Sequence, residues 1–138
     1  MTNLKKVYQE LNNIIENSYS PYSKFATAAL VETDMGFFKG VNVENASYPA
    51  GMCAERAAIY NAVVNGAKKF KALYCLTSSN RDDIVSCGQC LQVMAEFFKP
   101  TTLIYFFNSK GKMKKYNFKQ LMPRIFASKQ LLHNKGKK

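Results

Sequence analysis

"GMCAERAAIY", residues 51–60, decides how this chain is read. A cysteine, a glutamate and an arginine stand at positions 53, 55 and 56, where a loop gives way to the alanine-rich run "CAERAAIYNAVVNG". Alanine is the strongest helix former and Gly66 is placed as a terminator, so the run predicts a helix opening at Cys53, with Ala57, Ile59, Val63 and Val64 as apolar positions. Helical residues two apart do not share a face, so Glu55 is badly placed to join Cys53 in holding one ion. In the first turn its carboxylate can still hang beside whatever the sulfur holds and carry protons there. The bland alternative is a solvated first-turn glutamate favoured by the helix dipole.

A second stretch sharpens the choice. "CGQCLQVMAEFFKP", from Cys87, opens with a glycine, continues with helix formers and stops at Pro100, giving another helix of about ten residues that starts at cysteines. In an α/β architecture the helix N-termini gather at the carboxyl ends of the strands, so Cys53, Cys87 and Cys90 are expected to converge. Three thiolates are a soft ligand set suited to zinc, leaving a net charge of about −1. The two helix N-termini offset that charge, and Arg56 adds a full positive charge within reach of sulfur. A structural zinc site closes with four protein ligands, whereas a catalytic one keeps a position for water. Cys75 is the candidate fourth ligand, but it lies mid-strand among apolar neighbours in "ALYCLTSS", where an inert buried thiol is the ordinary finding. Three ligands plus water is therefore the favoured reading, with Glu55 beside the open position.

The rest of the chain supplies the frame. Residues 2–17 put Leu4, Val7, Tyr8, Leu11, Ile14 and Ile15 on one helical stripe, with Thr2 or Asn3 as N-cap. "FATAALVET" and "FFKGVNVEN", separated by "DMG", read as a hairpin. "KFKALYCLTSS" is a buried strand, "TTLIYFFNS" a β-branched and aromatic fourth strand, and "KMKKYN" a fifth. "FKQLMPRIF" makes a closing turn or short helix. The order α-β-β-α-β-α-β-β predicts one mixed sheet covered by helices on both faces.

With 138 residues, 47% of them hydrophobic, the chain suits a single domain with a real core. No apolar run approaches the roughly 20 residues that span a bilayer, and the opening "MTNLKKVYQEL" lacks a signal-peptide apolar core. A soluble, cytoplasmic protein without a membrane partner is expected. The net charge of +11 is unevenly placed: residues 1–96 carry nine basic and nine acidic side chains, residues 97–138 eleven basic and none acidic. Such a third could attract phosphates, but the polar end "HNKGKK" reads as a solvated tail. Four cysteines without secretory features favour metal or thiol chemistry over disulfides, and His133, the sole histidine, lies in that tail.

With these residues in place, the chain resembles the small homotetrameric cytidine deaminases. The zinc-deaminase signature, three-Cys or His/Cys/Cys ligation with a non-ligand glutamate, is a known pattern to which "CAERAAI" and "SCGQCLQ" are matched. "SPYSKF" (20–25), "GVNVENASY" (40–48) and "LMPRIF" (121–126) extend the match over nearly the whole chain. The resemblance implies an α/β/α sandwich of a five-stranded mixed sheet flanked by helices, a domain over residues 1–128 and a basic, flexible tail over 129–138. It implies one Zn2+ per subunit on Cys53, Cys87 and Cys90, Glu55 as proton shuttle, and Arg56 neutralising thiolate charge. It also implies Asn42 and Glu44 on the ribose hydroxyls, Phe25 lining the pocket, the Ala54 N–H toward the pyrimidine carbonyl, and Tyr48 and Phe126 closing a neighbouring subunit's site in a homotetramer. The reaction implied is hydrolytic deamination of cytidine and deoxycytidine in pyrimidine salvage. A deaminase of polynucleotide cytosine or of a nucleoside-like antibiotic is the alternative, and a zinc-stapled binding module without catalysis a more distant one. The ribose-type "NVEN" segment favours free nucleosides, so no nucleic-acid partner is expected.

Six positions, in four places, depart from the family pattern. Ser86 stands where proline usually precedes the cysteine pair, and Leu91 where arginine often follows it. Thr27 and Ala28 replace a commoner valine-glycine pair, and Arg124 and Ile125 replace smaller residues before Phe126.

Overall fold

The protein is described here from a computed structural model, over residues 2–132. Its elements run α1 (Leu4–Ile15), β1 (Thr27–Thr33), β2 (Gly36–Val41), α2 (Ala54–Val64), β3 (Phe70–Thr77), α3 (Gly88–Phe97), β4 (Leu103–Phe107), β5 (Met113–Asn117), α4 (Phe118–Leu121) and α5 (Ser128–Leu132). The expected element order is borne out, with a 3-10 turn at Tyr48–Ala50 inside the expected loop and α5 added at the end. The tail expected over 129–138 overlaps α5 at its start, and residues 133–138, His133 among them, lie outside the described residues. No helix among the described residues is long and apolar enough to cross a membrane.

The strands form one sheet in the order β2-β1-β3-β4-β5. β3 and β4 pair in parallel, joined through α3, and every other neighbouring pair is antiparallel. Strand side chains alternate between two cores. Ala29, Val31, Leu73, Cys75, Ile104 and Phe106 face α2 and α3. Ala28, Leu30, Ala72, Tyr74, Leu76 and Phe107 pack with Val7, Leu11 and Ile14 of α1 on the other side. The α1 stripe is as expected, and Asn3 is the cap, its side chain accepting from the N–H groups of Lys5 and Lys6.

Helix α2 buries only Ile59 of its four expected apolar positions in full. Its buried residues are Ala54, Glu55, Ala58, Ile59 and Ala62, while Val63 and Val64 are exposed. The reason is close approach: a Cβ on Gly40 of β2 would fall 2.4 Å from the Ala58 nitrogen and 2.5 Å from the Ala54 carbonyl oxygen. Alanines and a glycine let the helix backbone lie directly on the strand, which pins its first turn against the sheet. Gly66, at φ +91°, ends the helix in the left-handed conformation as expected.

Candidate active site

Cys53 and Cys87 are the N-caps of α2 and α3, and neither uses its side chain to cap its helix, so both sulfurs are free to face each other. Cys90 lies in the first turn of α3 and is fully buried. The Sγ atoms of Cys53 and Cys87 are 3.9 Å apart and those of Cys87 and Cys90 3.6 Å, with all three sulfurs within 4.8 Å of one another. Tetrahedral zinc with bonds of 2.3 Å separates its sulfurs by about 3.8 Å, so the donor set fits that ion in chemistry and spacing. Cys75 is not part of the cluster; it is buried mid-strand, and burial pushes its thiol well above the ordinary value.

The electrostatics single out one sulfur. Hydrogen bonding from Cys90, then from the Arg56 guanidinium, pulls the Cys53 thiol down to about 5 against the cost of burial. Cys90, the other member of that pair, is held up by the same contact and by its burial. Arg56 donates from Nη2 to the Cys53 sulfur at 3.5 Å, and although burial opposes its charge, the sulfurs of Cys53 and Cys90 hold it protonated. Leu91 packs partly buried against the apolar core and brings no charge to the sulfurs.

Glu55 is 6% exposed, in the first turn of α2. Desolvation raises its carboxyl pKa; its own backbone N–H and the Ser86 hydroxyl oppose the rise, and the Cys53 charge adds to it. A carboxyl so raised holds a proton more readily than an ordinary one, which suits it to both taking and giving one.

A cavity of about 970 Å³ opens in front of these groups. Phe25, Asn42, Glu44, Tyr48, Cys53, Ala54, Glu55, Arg56 and Cys87 line it, while Phe126 does not. Asn42 and Glu44 are tied down on its rim. The Asn42 side chain accepts from the Thr27 N–H and the Ser18 hydroxyl and donates to the Phe25 carbonyl. Glu44 accepts from the N–H groups of Tyr22 and Ser23, each at 3.0 Å, and from the Ser23 hydroxyl. These donors, the Ser23 hydroxyl first, hold the Glu44 carboxyl below its ordinary range despite some desolvation, so it is anionic and fixed before any ligand arrives. Oε1 takes both N–H groups, while Oε2, which takes only the Ser23 hydroxyl, has a further lone pair to offer.

The chain belongs to the cytidine and deoxycytidylate deaminases. Residues 1–106 match the model for the zinc-binding region of cytidine and deoxycytidylate deaminases. The chain is 36% identical to the cytidine deaminase of Sporosarcina psychrophila, over 93% of this chain and 94% of that one. It is 35% identical to that of Halalkalibacterium halodurans, covering 84% and 88%. Among solved structures, the cytidine deaminase of Burkholderia pseudomallei superposes with a TM-score of 0.83 at 35% identity, over 91% of this chain and all of that one. The mixed sheet with its flanking helices is the fold of this deaminase family.

The sequence reading missed the groups that hold the site residues in place. Ser18 and Ser23 grip Asn42 and Glu44 across more than twenty residues, which no local pattern announces. Thr77, whose buried hydroxyl has no partner, lines the cavity with Thr27, its neighbour in the β1–β3 register. Alternation alone could have placed both on the α2/α3 face.

Proposed function

We propose that this deaminase removes ammonia hydrolytically from cytidine and deoxycytidine, giving uridine and deoxyuridine. The observation that carries the reading is the buried Glu55 beside three sulfurs at zinc spacing, in a cavity whose rim presents Asn42 and Glu44. Cys53, Cys87 and Cys90 would hold one zinc ion per subunit, and Arg56 offsets their charge. Bound there, zinc supplies Lewis acidity that makes a water molecule acidic enough to react near neutral pH. Everything else falls to side chains of the protein. Glu44 and Asn42 face the ribose hydroxyls, Phe25 packs against the base, and the Ala54 N–H, free in the first turn of α2, points to the pyrimidine carbonyl. Glu55 takes a proton from the water that attacks C4 and passes it to N3. It then carries the proton of the new C4 hydroxyl to the amine, which leaves as ammonia while the C4 carbonyl forms.

The protein acts as a homotetramer in which Tyr48 and Phe126 complete sites on neighbouring subunits. Their exposure, 79% and 55%, supports this, because free aromatics of that size are suited to burial at an interface. Cytoplasmic pyrimidine salvage fits four cysteines that are all free. The decisive experiment is ammonia release from free cytosine, cytidine, deoxycytidine, cytidine phosphates and a cytidine-containing oligonucleotide. Turnover confined to the two nucleosides is the expected result; activity on the oligonucleotide alone would overturn the reading.

A further inference from the structure

Three buried side-chain polar atoms among the described residues lack a hydrogen-bond partner: Arg56 Nε, Thr77 Oγ1 and Ser86 Oγ. All belong to the surroundings of the cysteines and Glu55, and burying a hydroxyl unpaired is costly. Ser86 is the most pointed case. It is 6% exposed and directly precedes Cys87, while Glu55, also 6% exposed, follows Cys53 by two residues. The Ser86 hydroxyl lies near enough to the Glu55 carboxyl to favour its charged form, and the sulfurs of the adjoining Cys53 and Cys87 are 3.9 Å apart.

A capping role for Ser86 is absent. Cys87 occupies the N-cap of α3 without a side-chain cap, and the Ser86 hydroxyl bonds to none of that helix's N–H groups. The Ser86 hydroxyl favours the charged form of the Glu55 carboxyl, yet among the described residues it has no partner in full hydrogen-bond geometry. A buried hydroxyl without a partner therefore stands near a buried carboxyl whose other neighbouring donors are its own backbone N–H and the Cys90 thiol. Proline, the residue the family pattern has at this position, could not donate at all.

We propose that Ser86 is a positioning residue of this deaminase: its hydroxyl donates to the Glu55 carboxylate and fixes the rotamer in which Glu55 exchanges protons with the substrate. This rests on the functional reading above. A rotamer so fixed matters only where Glu55 works, in the transition state, so losing it lowers turnover and leaves ground-state binding alone.

The test compares the zinc-loaded wild type with Ser86→Ala, Ser86→Thr and Ser86→Pro. It measures kcat and KM on cytidine, zinc per chain, and the affinities of uridine and of a ring-saturated nucleoside carrying a C4 hydroxyl, which mimics the tetrahedral adduct. Ser86→Ala and Ser86→Pro are expected to lose about tenfold in kcat and about the same in affinity for the adduct mimic, the loss of one hydrogen bond to a charged group. KM, uridine affinity and zinc content stay within twofold of wild type, and Ser86→Thr, which keeps the hydroxyl, recovers most of the loss. Wild-type kcat in Ser86→Ala, a defect that Thr shares with Ala, or a loss that tracks zinc content would each overturn the assignment. A wild type inert on every nucleoside would instead overturn the functional reading itself, and this assignment with it.

Discussion

Glu32 and Glu55 sit on opposite faces of the same sheet and show two ways of housing a carboxylate. Glu32, on the α1 face, is fully engaged: Thr2 Oγ1 reaches both its oxygens at 3.1 and 3.0 Å, and the Tyr74 hydroxyl donates to Oε2 at 2.9 Å. Tyr74 in turn stacks on Tyr105 with ring centroids 4.8 Å apart. On the α2/α3 face Glu55 is buried with no such clamp, among the three orphaned polar atoms and a thiol pulled down to about 5. The α1 face spends its polar groups on one another, whereas the other face leaves them unspent. Satisfied networks stabilise a fold; unsatisfied ones of this density mark where a ligand completes the structure.

The strongest way to break this contrast is at the sulfurs. Cys87→Ala removes one of the three clustered sulfurs, and deamination is expected to fall by more than about a thousandfold with loss of bound zinc, as metal analysis and ammonia release would show. Survival of a full zinc complement would mean that the metal is held elsewhere. Gly40→Ala strikes the contact that seats α2: its Cβ meets helix backbone, which cannot swing aside, so a stability loss of about 1–3 kcal/mol is expected in chemical denaturation.

The cysteines offer a subtler test by pH. In protein stripped of metal with a chelator, Cys53 is expected to alkylate first at pH 6, because its thiolate persists down to about 5. Its rate should fall as the pH drops through that value, while Cys75, its thiol held high by burial, stays unlabelled. Peptide mapping of the label checks the order, and labelling of Cys75 first would reverse the assignment. The smallest effect is expected on the satisfied face: Tyr74→Phe should cost about 1–2 kcal/mol of stability and leave turnover untouched.

Much of this layout was legible beforehand, for identifiable physical reasons. Cysteines at two helix starts could be placed because N-caps and alanine-rich runs are local signals, and the strands because burial alternates along them. The orientation of α2 was not legible: Val63 and Val64 look like core, yet the close approach at Gly40 turns the alanine face inward and leaves them outside. Nor did spacing reveal that β1 sits between β2 and β3, a long-range choice. Of the supports of the site, Ser18 and Thr77 lie in no motif, and Ser23 and Ser86 lie within matched stretches whose pattern assigns them no part. Their parts come from contacts made, or withheld, only once the chain has folded.

The central claim is a division of labour in "GMCAERAAIY", with Cys53 holding metal and Glu55 moving protons. Zinc content and ammonia release from cytidine, measured side by side on Glu55→Gln, test it most directly. The account predicts one zinc per chain, as in wild type, and turnover reduced by about a hundred- to ten-thousandfold. Near-normal turnover, or loss of the zinc along with the activity, would contradict it.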